Sequence, residues 1–74
     1  MTNDPQKQHL INFGNHLKSL RKSRRLSLRR LATKCNIEHA DISRYEKGEI
    51  NMTFLTLLEL AHGLGITVKE LMDF

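Results

Sequence analysis

Apolar residues recur along most of this chain at steps of three and four, which is the spacing of one face of an α-helix. Near the start the stripe consists of Leu10, Phe13, Leu17 and Leu20, and it predicts a first helix over about residues 10–24. No segment alternates apolar and polar residues as a half-buried strand would. The spacing therefore predicts an all-α chain, and 74 residues suffice for one domain with a small core.

Capping residues divide the rest of the pattern into four further short helices. Ser27, Thr53 and Thr67 each precede an apolar run, and their hydroxyls can accept hydrogen bonds from the unpaired amides of a first helical turn. Gly48 and Gly65 stand where helices are expected to end. The first three of these helices are predicted to span about Leu28 to near Asn36, 38–46 and 54–64. The last is a short helix that contains Val68, Leu71 and Met72, and Phe74 follows it.

The second and third predicted helices are separated by a very short turn at Asn36 and Ile37. Asn tolerates the left-handed backbone that a tight turn requires, and Ile37 is placed to enter the core. Ala32 is small where the two helices would cross. We therefore expect a helix-turn-helix arrangement, with residues 1–9 as a flexible tail and residues 10–74 as the domain.

The fourth predicted helix is almost continuously apolar, and it is expected to be the most buried element of the fold. Its stripe includes Phe54, Leu57, Leu58, Ala61 and Leu64.

Positive charge is concentrated in the first half of the chain. Residues 1–34 contain nine Lys or Arg against one acid, whereas residues 35–74 contain three against seven, for a net charge of +4. A basic segment of this density is either a solvated helical face or a footprint for a polyanion such as nucleic acid. A basic membrane-surface helix is a third interpretation, but the chain has no Trp to anchor it.

Composition and spacing argue against several other classes of protein. No stretch approaches the roughly 18 uninterrupted apolar residues of a membrane span, and residues 1–9 do not read as a secretory signal. The lone Cys35 cannot form an internal disulfide, so a cytoplasmic location is expected. The four histidines lack metal-ligand spacing, and no nucleophile–base pair is evident. We expect no metal, no cofactor, no small-molecule substrate and no enzymatic activity.

The third predicted helix presents two different faces. Ile42 and Tyr45 point one way, while the other faces carry small or hydrogen-bonding side chains. Such a helix beside a basic segment suits the DNA major groove, which is about 12 Å wide and admits one helix.

Several ordered stretches make the chain resemble the Cro and phage-repressor, or Xre-like, family of helix-turn-helix domains over about residues 11–74. They are Phe13-Gly14-Asn15-His16-Leu17-Lys18-Ser19-Leu20-Arg21, Leu26-Ser27-Leu28-Arg29-Arg30-Leu31-Ala32, Ile42-Ser43-Arg44-Tyr45-Glu46-Lys47-Gly48, Leu57-Leu58-Glu59-Leu60-Ala61-His62-Gly63-Leu64-Gly65-Ile66 and Val68-Lys69-Glu70-Leu71. The resemblance implies a compact five-helix domain of the phage-repressor type.

The resemblance also assigns roles to residues. It implies that His39, Ala40 and Asp41 read base edges, together with Arg44, which can donate two hydrogen bonds to guanine. It further implies a structural ion pair between Arg21 and Glu46. Contacts to DNA phosphates are expected, from the resemblance or from charge, at Arg24, Arg25, Ser27, Leu28, Arg29, Ser43, Lys47, Asn51 and Thr53. Leu28 departs from the Gln common in the family, which leaves only its backbone amide for that contact.

These features predict a sequence-specific DNA-binding transcriptional regulator. One small domain contacts few bases, so a homodimer on a palindromic site is expected, with half-sites about 34 Å apart. Relatives place the dimer surface near the last segment, which here offers Val68, Leu71, Met72 and Phe74. An antitoxin-like module that binds a partner protein and, secondarily, DNA is the alternative. Within the first hypothesis, a restriction–modification controller and a phage or mobile-element regulator both remain open.

Overall fold

The computed structural model describes residues 4–74, and within this part of the chain every regular element is a helix. The elements are α1 (Pro5–Ser23), α2 (Leu28–Lys34), α3 (His39–Glu46), α4 (Phe54–Leu64) and α5 (Val68–Leu71). The prediction of an all-α, five-helix fold is confirmed. No helix of the described residues is both long enough and apolar enough to cross a bilayer.

The first helix begins five residues earlier than predicted. Asp4 caps it by accepting a hydrogen bond from the Gln6 amide at 3.0 Å, and Pro5 occupies the first turn, where a missing N–H is harmless. Lys7 donates from Nζ to the Gly48 carbonyl oxygen and so ties the first turns of α1 to the segment after α3. The expected tail is therefore wrong for residues 5–9, which are helical; its residues 1–3 lie outside the described residues.

The predicted caps of the later helices are confirmed. Ser27 Oγ accepts from the Arg30 amide at 3.1 Å, and Thr53 Oγ1 accepts from the Thr56 amide at 3.2 Å. Thr67 and Glu70 form a reciprocal capping box at α5. Each predicted N-cap thus begins the helix it was expected to begin.

Each of the five helices contributes one aliphatic side chain with no exposed surface to a single core. These side chains are Leu17, Leu31, Ile42, Leu60 and Leu71. Phe13, Cys35, Ala61 and Leu64 complete the core. Because every helix sends one anchor inward, the short helices are held in place by tertiary packing, although helices of this length are marginal in isolation.

The expectation that the apolar residues of α4 would be buried is wrong for two of them, Phe54 and Leu58. Leu60, Ala61 and Leu64 lie in the core, but Phe54 and Leu58 are exposed. A helix that is apolar nearly all round offers two possible stripes. The stripe that faces the core contains Gly63. A Cβ added there would lie only 3.0 Å from Cys35 Cβ, so the absence of a side chain lets α4 pack closely against the end of α2.

The turn between α2 and α3 also differs from expectation. Asn36 does not adopt a left-handed conformation, because α2 ends with Cys35 in an extended conformation instead. The backbone amide of Asn36 donates to Glu59 Oε2 of α4 at 3.1 Å, which holds the turn. Among the described non-glycine residues only Arg25, which follows the last turn of α1, has a positive φ, of 56°.

Candidate nucleic-acid interface

The outer face of α3 is fixed by what its inner face buries. Ile42 and Glu46, four residues apart, are both buried. The exposed residues Ala40, Arg44 and Lys47 are spaced by four and three, so they form a stripe on the opposite side of the same helix. The segment therefore presents a ridge of exposed side chains on the side that faces away from the core.

The four residues expected to read bases are not equally placed on this ridge. Ala40 and Arg44 are exposed, whereas Asp41 and His39 are half-buried. His39 faces α2, where it lines a shallow depression together with Arg29 and Thr33. The structure thus brings Arg29 and His39 to one surface and sets Arg44 one turn farther along α3.

The orientation of α3 is held by an ion pair that joins it to α1. Arg21 Nε donates to Glu46 Oε2 at 2.6 Å, and Arg21 Nη2 donates to Glu46 Oε1 at 3.0 Å. Arg21 Nη1 also donates to the Leu26 carbonyl oxygen at 2.7 Å. The hydrogen bond to Glu46 raises the pKa of Arg21, although burial acts in the opposite direction. This is the pair that the family resemblance implied, and it anchors α3 to α1 and to the segment before α2.

Close packing between α1 and α3 further limits the position of α3. A Cβ added at Gly14 would lie 2.4 Å from the Glu46 carbonyl oxygen and 2.6 Å from that of Tyr45. The backbones can approach this closely only because residue 14 has no side chain. The C-terminal turn of α3 is therefore seated directly on α1.

The arginines that precede and begin α2 have different surroundings. Arg25 and Arg29 are exposed. Arg24 is exposed as well, but it donates from Nε to the Leu64 carbonyl oxygen at 2.9 Å and from Nη1 to the Leu20 carbonyl oxygen at 3.3 Å. Its guanidinium thus covers the C-terminal end of α4, a structural role that the sequence did not predict. The phosphate contact expected of Arg24 stays a prediction, in competition with this role.

Ser43, Lys47 and Leu28 line one groove that runs between α1 and α3. Asn15 and Lys18 of α1 line the same groove, and sequence reasoning did not select either of them as a site residue. The sequence does indicate that these two residues lie together. Ile11, Asn15 and Lys18 are spaced by four and three, so they share one side of α1.

The segment between α3 and α4 carries two more of the residues expected to contact phosphate. Asn51 and Thr53 are both exposed. Asn51 Oδ1 accepts from the Met52 amide at 2.9 Å, so its amide nitrogen is the group that can donate to an anion. Thr53 Oγ1 serves as the N-cap of α4, as Ser27 Oγ does for α2.

The four residues expected to form a dimer interface differ in how far the structure exposes them. Leu71 has no exposed surface, so its prediction as an interface residue is wrong: the side chain fills the core of its own chain. Met72 and Phe74 are 44% and 54% exposed, and Val68 is half-buried. The Phe74 ring lies 5.8 Å from the Phe13 ring, centroid to centroid, which holds the last residue against α1.

Three apolar residues of α4 are also exposed. They are Phe54, Leu55 and Leu58, with 66%, 69% and 39% of their surface exposed. Leu57, on the same helix, lines a concavity together with Met72 and Phe74. Sequence reasoning assigned Phe54 and Leu58 to the core and so missed this apolar surface.

Residues 4–74 contain no cluster of three or more His, Cys, Asp or Glu that could hold a metal ion. Cys35 is buried, and this burial raises the pKa of its thiol. A thiol in this state is a poor nucleophile at neutral pH.

Comparison with known proteins agrees with this geometry. A family model described as a helix-turn-helix domain matches residues 12–74. Control protein C.MunI from Mycoplasma sp is 39% identical over 62 residues, which make up 82% of this chain and 84% of that protein.

Solved structures show the same fold. The crystal structure of the restriction-modification controller protein C.AhdI from Aeromonas hydrophila has a TM-score of 0.81 and 32% identity, covering 84% of this chain and 94% of that one. An HTH_3 family transcriptional regulator from Vibrio cholerae has a TM-score of 0.84 and 33% identity, covering 89% of this chain but 37% of that one. This chain therefore belongs to the Xre- and Cro-like helix-turn-helix family of DNA-binding transcriptional regulators.

Proposed function

We propose that this chain binds a specific duplex sequence by placing the exposed ridge of α3 in the major groove. The observation that carries the proposal is the division of α3 into a buried face at Ile42 and Glu46 and an outward face at Ala40, Arg44 and Lys47. A helix with its side chains is about 10–12 Å wide, which matches the groove.

Arg44 is the principal base reader in this proposal. Its exposed guanidinium can donate two hydrogen bonds to O6 and N7 of one guanine, a contact worth about 1–3 kcal/mol against a wrong base. Ala40 is small enough to let the helix approach the base edges, or to contact a thymine methyl group. His39 and Asp41 flank this pair and contribute from the sides of the helix.

Phosphate contacts from residues around the ridge hold it in register. Arg25 and Arg29 approach the backbone on the α2 side, while Lys47, Asn51 and Thr53 do so beyond the end of α3. Such contacts fix position without reading sequence, and each makes binding weaker as salt rises.

A homodimer is the proposed binding unit. The exposed apolar side chains of α4, and those of Met72 and Phe74, provide apolar surface that a second copy can cover. A dimer doubles the number of bases and phosphates in contact, and its two α3 helices would read half-sites about 34 Å apart. The same apolar surface also favours the second candidate function, in which a different protein occupies it and DNA binding is secondary.

The biological role we propose is control of a restriction–modification gene pair. C.MunI is a control protein and C.AhdI is a restriction-modification controller, and this chain matches 84% and 94% of their respective lengths. In this role the protein acts in the cytoplasm as a regulator without catalysis. Footprinting on the promoter of an adjacent methyltransferase or endonuclease gene tests the assignment directly.

Selection of bound sequences from random duplexes tests the central proposal. We expect an enriched motif with inverted symmetry. Arg44→Ala should then weaken binding to the enriched duplex by about 10-fold or more relative to random duplex. Lys34→Ala at the end of α2 is the matched control, because it removes one exposed charge that lies beside Leu64 and Gly65 at the end of α4. Equal loss on both duplexes for Arg44→Ala would remove Arg44 from base reading.

A further inference from the structure

The groove between α1 and α3 is lined by more positive than negative side chains. Arg21 and Glu46 lie among its lining residues, and they are buried and paired with each other. Lys18 and Lys47 line the same groove from two different helices, and both are exposed. Glu46 is the only carboxylate among the lining residues, and Arg21 already neutralises it.

The groove also presents neutral hydrogen-bond donors. Asn15 contributes an exposed side-chain amide from α1, and Ser43 contributes a half-buried hydroxyl from α3. Two ammonium groups, an amide and a hydroxyl are donors that suit the oxygens of a phosphate diester.

The position of the groove relative to α3 identifies the source of that phosphate. Ser43 directly precedes Arg44 in α3, and Lys47, which caps the helix, follows Arg44 by three residues, so the groove borders the ridge proposed to enter DNA. A helix fills most of the width of the major groove, so the phosphates at its rim lie just beside the helix. The residues next to α3 are therefore the ones that meet the backbone.

We propose that Lys18 and Asn15, with Ser43 and Lys47, bind a backbone phosphate at the rim of the major groove. This inference rests on the proposed DNA-binding function and adds α1 to the interface. Lys18 is a positioning residue: it fixes the placement of α3 on the duplex and does not read bases.

Salt dependence of binding provides the test. The full chain is titrated against a fluorescent random duplex and against the enriched duplex between 50 and 200 mM salt. Lys18→Gln should reduce the slope of log affinity against log salt by about 0.9 on both duplexes. Over this range that slope corresponds to about 3.5-fold less loss of affinity than in the unchanged protein.

Lys34→Gln is the matched control, since Lys34 is exposed and basic but lies at the end of α2, near Arg24 and Leu64. Its slope should stay at the value of the unchanged protein. Lys18→Arg should restore the slope, because it restores the charge. Both lysines are exposed, so circular dichroism should show folded variants.

The outcomes separate the two claims. Equal slopes for Lys18→Gln and Lys34→Gln, whether both fall or both stay, overturn the groove proposal, even where Arg44→Ala abolishes sequence preference. Absence of any preferred duplex for the unchanged protein overturns the proposed function, whatever the Lys18 slope shows.

Discussion

Three helices of this protein end in the same hydrogen-bonded loop, but one of them lacks the expected glycine. After α1, the amides of Arg25 and Leu26 donate to the carbonyl oxygens of Lys22 and Arg21, at 2.9 and 3.2 Å. The same two-bond pattern ends α3 and α4, where the left-handed residues are Gly48 and Gly65. After α1 the left-handed position is held by Arg25, at φ 56°.

The expected gain from replacing Arg25 with glycine follows from this comparison. A residue with a Cβ loses about 1–2 kcal/mol in the left-handed conformation. Glycine returns roughly 0.4–1 kcal/mol of this through the greater freedom of the unfolded chain. Arg25→Gly should therefore raise the free energy of unfolding by roughly 0.5–1 kcal/mol. For a domain of this size, the melting temperature should rise by about 2–8 °C.

Arg25→Ala is the matched control for this prediction. It removes the same charge and the same side chain, but it keeps the Cβ that makes the conformation costly. The difference between the two variants in urea denaturation therefore isolates the backbone term from the relief of charge repulsion. If Arg25→Ala is as stable as Arg25→Gly, the left-handed strain at residue 25 does not exist. Both variants should lose the same salt slope on DNA if Arg25 contacts phosphate.

Three further predictions concern the core and its contact with α3. Gly14→Ala should lower the free energy of unfolding by about 3 kcal/mol in urea, because the new Cβ would overlap the Glu46 carbonyl oxygen; a near-neutral result would contradict the close packing. Glu46→Ala should lower it by about 3 kcal/mol, because Arg21 stays buried without its partner, whereas exposed Glu49→Ala should change it little. Burial raises the pKa of the Cys35 thiol in the folded protein above its value in the unfolded chain, which is about 8.5. The stability that the neutral thiol contributes should therefore be complete below about pH 8.5 and be lost as the pH rises toward the pKa of the folded state. Denaturation between pH 7 and 10 should show this decline, which Cys35→Ala should remove; parallel curves would refute it.

Local signals predicted the helices well because their causes are local. Ser27, Thr53 and Thr67 cap the helices they precede, and each cap depends on residues only three positions away. The start of α1 is also set locally, by the cap at Asp4 and by Pro5 in the first turn. The prediction missed it because it relied on the apolar stripe, which begins only at Leu10. The first turns of α1 bury little, so the apolar period carries no information about them.

The residues that sequence reasoning misplaced are those whose roles depend on distant partners. In the sequence, Arg24 looks like one of several surface cations. In the structure its Nε donates a hydrogen bond to the Leu64 carbonyl oxygen, 40 residues away. Leu71 was predicted to lie on a dimer surface, yet its side chain is buried in the core. Phe54 and Leu58 were predicted to be buried, yet both are exposed. A helix with two apolar stripes does not reveal from sequence which stripe its neighbours will cover. The buried stripe is the one on which Gly63 allows α2 to approach closely.

The two faces of α3 explain how so short a helix can serve both stability and recognition. Glu46 is buried beside Ile42, where a charged residue is tolerable only because Arg21 supplies a bidentate partner. That pair prevents α3 from rotating about its axis, so the outward direction of Arg44 is set by a contact made on the opposite side of the helix. Substitutions on the inner face should therefore reduce stability and DNA affinity together, whereas Arg44 substitutions should reduce affinity alone. Measuring both quantities on one set of variants separates a residue that reads DNA from one that holds the reader in place.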